Sequence, residues 1–183
     1  MSASVDITQS AVLTVLGSFI SAIIPNIGAN VVIGQINYVP EPNANDFIIM
    51  TPIGRQRLDY TTDTYQDLYP TGASQQFSQV STQLTVQCDF HGPNSGDNVQ
   101  IFTGLFRDEY TTNFFSSQTI AACQPLYTSD PRQTPFIDGE ANYEYVWSAD
   151  AEIQFNPTVT TTQQFAGTLS LSGVIEVDAK FPP

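Results

Sequence analysis

The sequence predicts an α+β domain, a mainly antiparallel sheet with two helices packed on it. Three observations carry that prediction. Around 12–24 and 97–114, apolar residues recur at three- and four-residue steps, the period of a helix with one buried face. Around 80–90, 143–155 and 165–177, apolar and polar residues alternate, the period of a half-buried strand. Alternating runs follow one another across short turn-forming stretches, which favours antiparallel pairing over helical crossovers. The order helix, strands, helix, strands is expected to fill residues 1–183 as a single domain without repeat or linker.

Thr8 or Asp6 is placed to cap the first helix, whose stripe is Val12, Val15, Leu16, Phe19, Ile20 and Ile23, and Pro25-Asn26 ends it. Residues 31–36 read as a strand, 38–45 as a loop stiffened by two prolines, and 47–51 as a short apolar strand. Pro52-Ile53-Gly54 reads as a turn, and 55–61 alternates with Leu58 and Tyr60 on one side. Residues 62–76 are polar and weakly periodic, and are expected to form a long loop with a hairpin tip near Pro70-Thr71-Gly72. The run 80–90 then puts Val80, Thr82, Leu84, Val86, Cys88 and Phe90 on one face.

After the turn cluster Pro93–Gly96, Asp97 is placed to cap a second helix with the stripe Val99, Phe102, Leu105, Phe106 and Tyr110, broadened by Ile101 and Phe114. A loop region rich in Pro and Asp leads to Gly139. The run 143–155 sets Tyr143, Tyr145, Trp147, Ala149, Ala151, Ile153 and Phe155 on one face. Residues 156–162 read as the loop of a hairpin whose return strand carries Phe165, Leu169, Leu171, Ile175 and Val177.

The composition excludes several functions. Eighteen acids against five bases give a formal charge of −13, while only 13% of the 183 residues are charged. The bases Arg55, Arg57, Arg107, Arg132 and Lys180 are too few and scattered for a phosphate-tracking groove. The start MSASVDITQS lacks a basic n-region and does not read as a signal peptide. The apolar stretch 12–24 is too short to span a bilayer. Cys88 and Cys123 read as reduced core thiols.

No pattern of catalytic or metal-ligating residues stands out. The pair Asp108-Glu109 suggests an acid and a base, but neighbours on a helix point about 100° apart and do not converge on one atom. They read as a solvated helix face with Arg107 nearby. The one histidine, His91, ends a strand beside a turn and reads as a surface residue. Asp150 and Glu152 share a strand face, as do Glu176 and Asp178. A small hydrolase or a Ca²⁺-binding accessory module on that acidic face is the alternative function, although no calcium loop is present. No catalytic residue, metal ligand or cofactor is assigned. The tyrosines cluster loosely at 60–69 and 143–145, where aromatics in a charge-poor chain favour protein contact.

Five stretches in order resemble the neck and tail-terminator proteins of contractile-tailed bacteriophages. They are DITQSAVLTVLGSFISAIIP, GQINYVPEPNANDFIIMTPIGRQRLDYTTDTY, CDFHGPNSGDNVQIFTGLFRDEY, PLYTSDPRQTPFIDGEANYEYVW and IQFNPTVTTTQQF. The resemblance implies a tail-terminator-like fold and a virion structural protein without catalysis. It implies a homo-oligomeric ring, six-fold in the usual case, assembled in the host cytoplasm. Such a ring caps the tail tube, meets sheath subunits and head-completion or connector proteins, and passes DNA through a negatively charged channel without binding it specifically. No membrane is involved. On that reading Arg55, Arg57, Arg107 and Arg132 are candidate subunit-interface residues, because each scarce guanidinium has many carboxylates competing for it; the alternative is that all are intrachain, with Arg107 and Arg132 tying the second helix to its following loop. Tyr65, Leu68, Tyr69 and Pro70 are candidate anchors of a docking loop within 62–76, the alternative being a β-hairpin arm packed on its own sheet.

Overall fold

A computed structural model describes residues 3–25, 27–36, 42–68, 73–134, 136–137 and 143–164. Its centre is a mixed, largely antiparallel sheet with helices on one face, in keeping with the α+β expectation. Among the described residues there are three α-helices, one more than expected. Thr8 caps α1 (Gln9–Ile23), its hydroxyl accepting from the Ala11 N–H at 3.2 Å. Val12, Leu13, Val15, Leu16, Phe19 and Ile20 form its buried stripe.

The short strand β1 (Ala3–Val5) precedes this helix, and a turn of 3₁₀ helix, Gly28–Asn30, follows it. Strand β2 (Val31–Ile33) pairs in parallel with β3 (Phe47–Arg57). The strand expected over 31–36 is shorter because Gln35 takes a φ of 60°, outside the extended range.

Strand β3 corrects a second expectation. The chain does not turn at Pro52-Ile53-Gly54 but runs straight through, with a register shift against β6 (Thr82–His91) between Pro52 and Gly54. Its partner β2 reaches only Met50, so beyond that point β3 is an edge where the missing proline N–H breaks no ladder. The additional residue is absorbed as a bulge.

Strand β6 alternates as predicted, with Leu84, Val86, Cys88 and Phe90 buried. Gly92 ends it at a φ of 101°, where a Cβ would collide with the Asn45 carbonyl oxygen. The single helix expected next is two, α2 (Ser95–Phe106) and α3 (Glu109–Ser116). Asp108 is extended and caps α3, accepting from the Tyr110 N–H at 3.0 Å. It is therefore a helix start and not half of an acidic helix face. Asp97 lies in the first turn of α2, whose cap position is Asn94. The Asp46 carboxylate secures Asn94 by accepting from its backbone and side-chain amides.

The region expected as a loop before Gly139 contains β7 (Cys123–Thr128), β8 (Arg132–Gln133) and β9 (Phe136–Ile137), the last paired with β10 (Tyr143–Glu144). Strand β11 (Val146–Phe155) lies in the middle of the main sheet, which runs β2-β3-β6-β11-β7, with β8 also on β11. Phe19 from α1, Phe102 and Phe106 from α2, and Phe114 and Phe115 from α3 meet ring to ring, with centroids 5.4–6.4 Å from Phe19. This cluster packs the three helices to each other above the apolar face of the sheet.

The hairpin predicted around 156–162 does not form. Both edges of β11 are occupied, one by β6 and the other by β7 and β8. Instead β12 (Thr158–Thr162) leaves the main sheet and joins a second one, ordered β1-β12-β5-β4. Strands β4 (Thr62–Gln66) and β5 (Gln75–Gln79) occupy much of the span expected as a loop at 62–76. The return strand expected from Phe165 onward lies outside the described residues.

The two sheets are related simply. Strand β3 leads into β4, β5 into β6, and β11 into β12, across breaks of two to four residues at 58–61, 80–81 and 156–157. The order β3-β6-β11 in the main sheet becomes β4-β5-β12 in the second. Three central strands thus cross a common break and continue as an arm. Backbone bonds stitch the break: the Leu58 N–H donates to the Ser81 carbonyl, and the Val80 N–H to the Pro157 carbonyl. None of the residues in the arm's four strands is buried.

Candidate functional site

The candidate surface is the arm and the arginines at its root. Arg55 and Arg57 lie on β3 just before the break, and both are exposed. The Arg55 guanidinium donates to Gln9 Oε1 at 2.7 Å and sits 5.7 Å from the centre of the Phe155 ring. Arg57 donates to Thr61 Oγ1 at 2.8 Å. Among the described residues neither forms an ion pair with a carboxylate. Beside them Arg57, Leu58, Asp59 and Tyr60 line a shallow hollow, and Tyr60 is 90% exposed.

The other two candidate arginines are engaged within the chain. Arg107, at the end of α2, donates to the Thr128 carbonyl at 2.6 Å and reaches Asp130 at 3.3 Å. Arg132, on β8, holds Asp150 of β11 through two bonds, and this raises the arginine's pKa above its usual value. The four therefore do not form one cluster. Two stand at the arm's root, and two fasten the strand-rich segment after α3.

The arm is acidic and polar. From Leu58 to Ser81 the sequence carries Asp59, Asp63 and Asp67 and no Lys or Arg. Asp63, exposed on β4, accepts from Ser78 Oγ, and Asp67 accepts from Ser74 Oγ, each at 2.5 Å. Tyr65 is 56% exposed on β4, and Leu68 is half-buried with its N–H donating to Ser74 Oγ. Tyr69 and Pro70 lie outside the described residues. Strands β4 and β1 are the arm's two edges, since β4 pairs with β5 and β1 with β12. Along each, one row of backbone donors and acceptors has no strand partner among the described residues.

Asp6 ties the arm to the start of α1. Its carboxylate accepts from the Thr158 N–H at 2.7 Å and the Ile7 N–H at 2.6 Å. Burial raises its pKa, but these backbone donors outweigh that and leave it lowered.

The carboxylates on the polar face of the main sheet already have partners, and Glu152 there is buried. Glu152 accepts from Gln83 Nε2 and Thr85 Oγ1, both at 2.8 Å. Asp89 accepts from Ser148 Oγ and Gln87 Nε2, and Asp150 is held by Arg132. Among the described residues no group of three His, Cys, Asp or Glu side chains is arranged to hold a metal ion. Glu176 and Asp178 lie outside the described residues.

His91, expected at the surface, is buried. Its ring stacks on Phe47 with centroids 4.4 Å apart, and Nδ1 lies 3.0 Å from Glu144 Oε1. Both cysteines are free and buried, and burial pushes the Cys123 thiol up to about 11. Among the described residues no helix is long and apolar enough to cross a membrane.

Sequence reasoning singled out the arginines and reached the arm only as the alternative to a loop at 62–76. Its strands TDTYQ, QQFSQ and TVTTT carry polar residues on both faces, so they lack the alternation that marks a half-buried strand. The one available signal was β-branched content, dense only in TVTTT.

No curated protein matches the chain. A family model described as phage neck terminator protein matches residues 10–178.

Proposed function

The chain belongs to the phage neck terminator protein family, a family of structural proteins of the virion neck, and from that premise we propose that it closes the tail as a ring. Six copies cap the tail tube. The ring joins the tube, and the sheath subunits beside it, to the head-completion or connector proteins. It forms in the host cytoplasm and leaves a channel through which DNA passes.

The observation that carries this reading is the arm. A four-stranded sheet without a buried residue in its strands has no core of its own, and sheets of this kind gain stability by being covered or extended. An arm whose two edge strands have no further partner among the described residues, with exposed aromatics, suits assembly against other subunits. The charge fits as well. Each copy brings a formal −13, and a channel lined with part of that charge repels phosphate and lets DNA slide.

Imaging of the concentrated protein, alone and on isolated tails, tests the proposal. Rings with a central hole, and the same density at the head-proximal end of tails, are expected. Tails that extend past their normal length in the protein's absence support the capping role. A protein that stays monomeric and leaves tail ends uncovered overturns it.

A further inference from the structure

The distribution of the few positive charges points to how one copy meets the next. Of the five bases, Arg107 and Arg132 are spent on carboxylates within the chain, and Lys180 lies outside the described residues. The remaining two, Arg55 and Arg57, stand exposed at the arm's root and among the described residues form no ion pair. The arm is the reverse: 58–81 holds three aspartates and no base, and Asp63 is exposed on its edge strand.

We propose that the β4–β5 arm of one copy docks on the root of the arm of the next, setting Asp63 against the neighbour's Arg55 and Arg57. The occupant is a second copy of this chain, because the chain carries both halves of the contact at different places. Two copies, each at net −13, repel one another on the whole, so the two arginines that have no ion pair among the described residues mark where an acidic strand of a second copy is received. The hollow lined by Arg57, Leu58, Asp59 and Tyr60 lies at the same place, and its exposed Tyr60 and Leu58 supply apolar contact area. Such a contact is heterologous, so repeated copies make a ring where the rotation closes. The inference rests on the ring reading above and names its subunit contact.

Paired charge reversals test it. Arg57→Glu sets glutamate against aspartate in every contact, and Asp63→Arg sets arginine against arginine. Each variant alone is expected to self-associate at least about tenfold more weakly than the wild type by light scattering across a concentration series. An equimolar mixture of the two is expected to assemble again, because in an alternating ring every contact joins opposite charges. Recovery on mixing also shows that both variants are folded.

Single variants that assemble like the wild type, or a mixture that fails to recover, overturn this contact and leave the ring reading standing. A wild-type protein that stays monomeric even when concentrated overturns both. If Arg57→Glu leaves self-association unchanged but lowers retention of duplex DNA, the arginines face phosphate and the contact is overturned.

Discussion

Arg132 grips Asp150 through both terminal nitrogens, at 2.9 and 3.0 Å, and so fastens β8 to the middle of β11. The pair is partly open to solvent, with 47% of the arginine and 22% of the aspartate side chain exposed, which keeps its worth small. Arg132→Lys loses the two-pronged geometry. A cost of about 0.5–1 kcal/mol is expected in urea unfolding. A cost above about 3 kcal/mol would show that the pair behaves as a buried one.

Phe19 is fully buried where the three helices meet, surrounded by the rings of Phe102, Phe106, Phe114 and Phe115. Phe19→Ala is expected to cost on the order of 3–5 kcal/mol, because the neighbouring rings belong to different helices and cannot close the void without moving them. Equilibrium unfolding of the variant measures this directly. A loss near 1 kcal/mol would mean that the helices repack freely.

The Asp6 carboxylate, held by the Thr158 and Ile7 amides, gives a pH dependence of known sign. Its folded pKa lies below its unfolded value, so its stabilisation is present above the unfolded value and is lost as pH falls through the lower folded one. The stability difference between wild type and Asp6→Asn should be level at neutral pH and shrink below about pH 4. A difference that grows on acidification contradicts the assignment.

Replacing 62–79 with a short Gly-Ser link removes β4 and β5 but no buried strand residue. The melting temperature is expected to fall by less than about 4 °C, the equivalent of roughly 1 kcal/mol or less in a domain of this size. Attachment to tails should be lost. A trimmed protein that still completes tails at normal yield removes the arm from assembly.

The body of the fold was legible because its surfaces differ. The α1 stripe and the alternation of Leu84, Val86, Cys88 and Phe90 record one face in a core and one outside, and that of Ala149, Ala151, Ile153 and Phe155 records an apolar face against a polar one. Where that contrast fails, the reading failed. The arm strands are polar on both faces. The hairpin reading saw the alternating run before 156 but had no means of knowing that both edges of β11 were already taken. The helix was drawn too long because Phe106, Tyr110 and Phe114 keep a helical step across the break at Arg107 and Asp108. Only the capping geometry of Asp108 reveals the second start. The arginines stood out by scarcity, and the intrachain alternative holds for Arg107 and Arg132, which pair with Asp130 and Asp150, while among the described residues Arg55 and Arg57 form no ion pair.

The shared break between the sheets also decides how the molecule carries load. Because β3, β6 and β11 each continue into the arm, tension on the arm enters the main sheet lengthwise. The ladder then resists in shear, with its hydrogen bonds strained together instead of being unzipped one at a time. Pulling experiments with handles on the arm and on α2 should therefore show a single high rupture event, where a peeling geometry gives a series of low ones. On the proposed docking between copies, the arm would act as a tether as well as a contact.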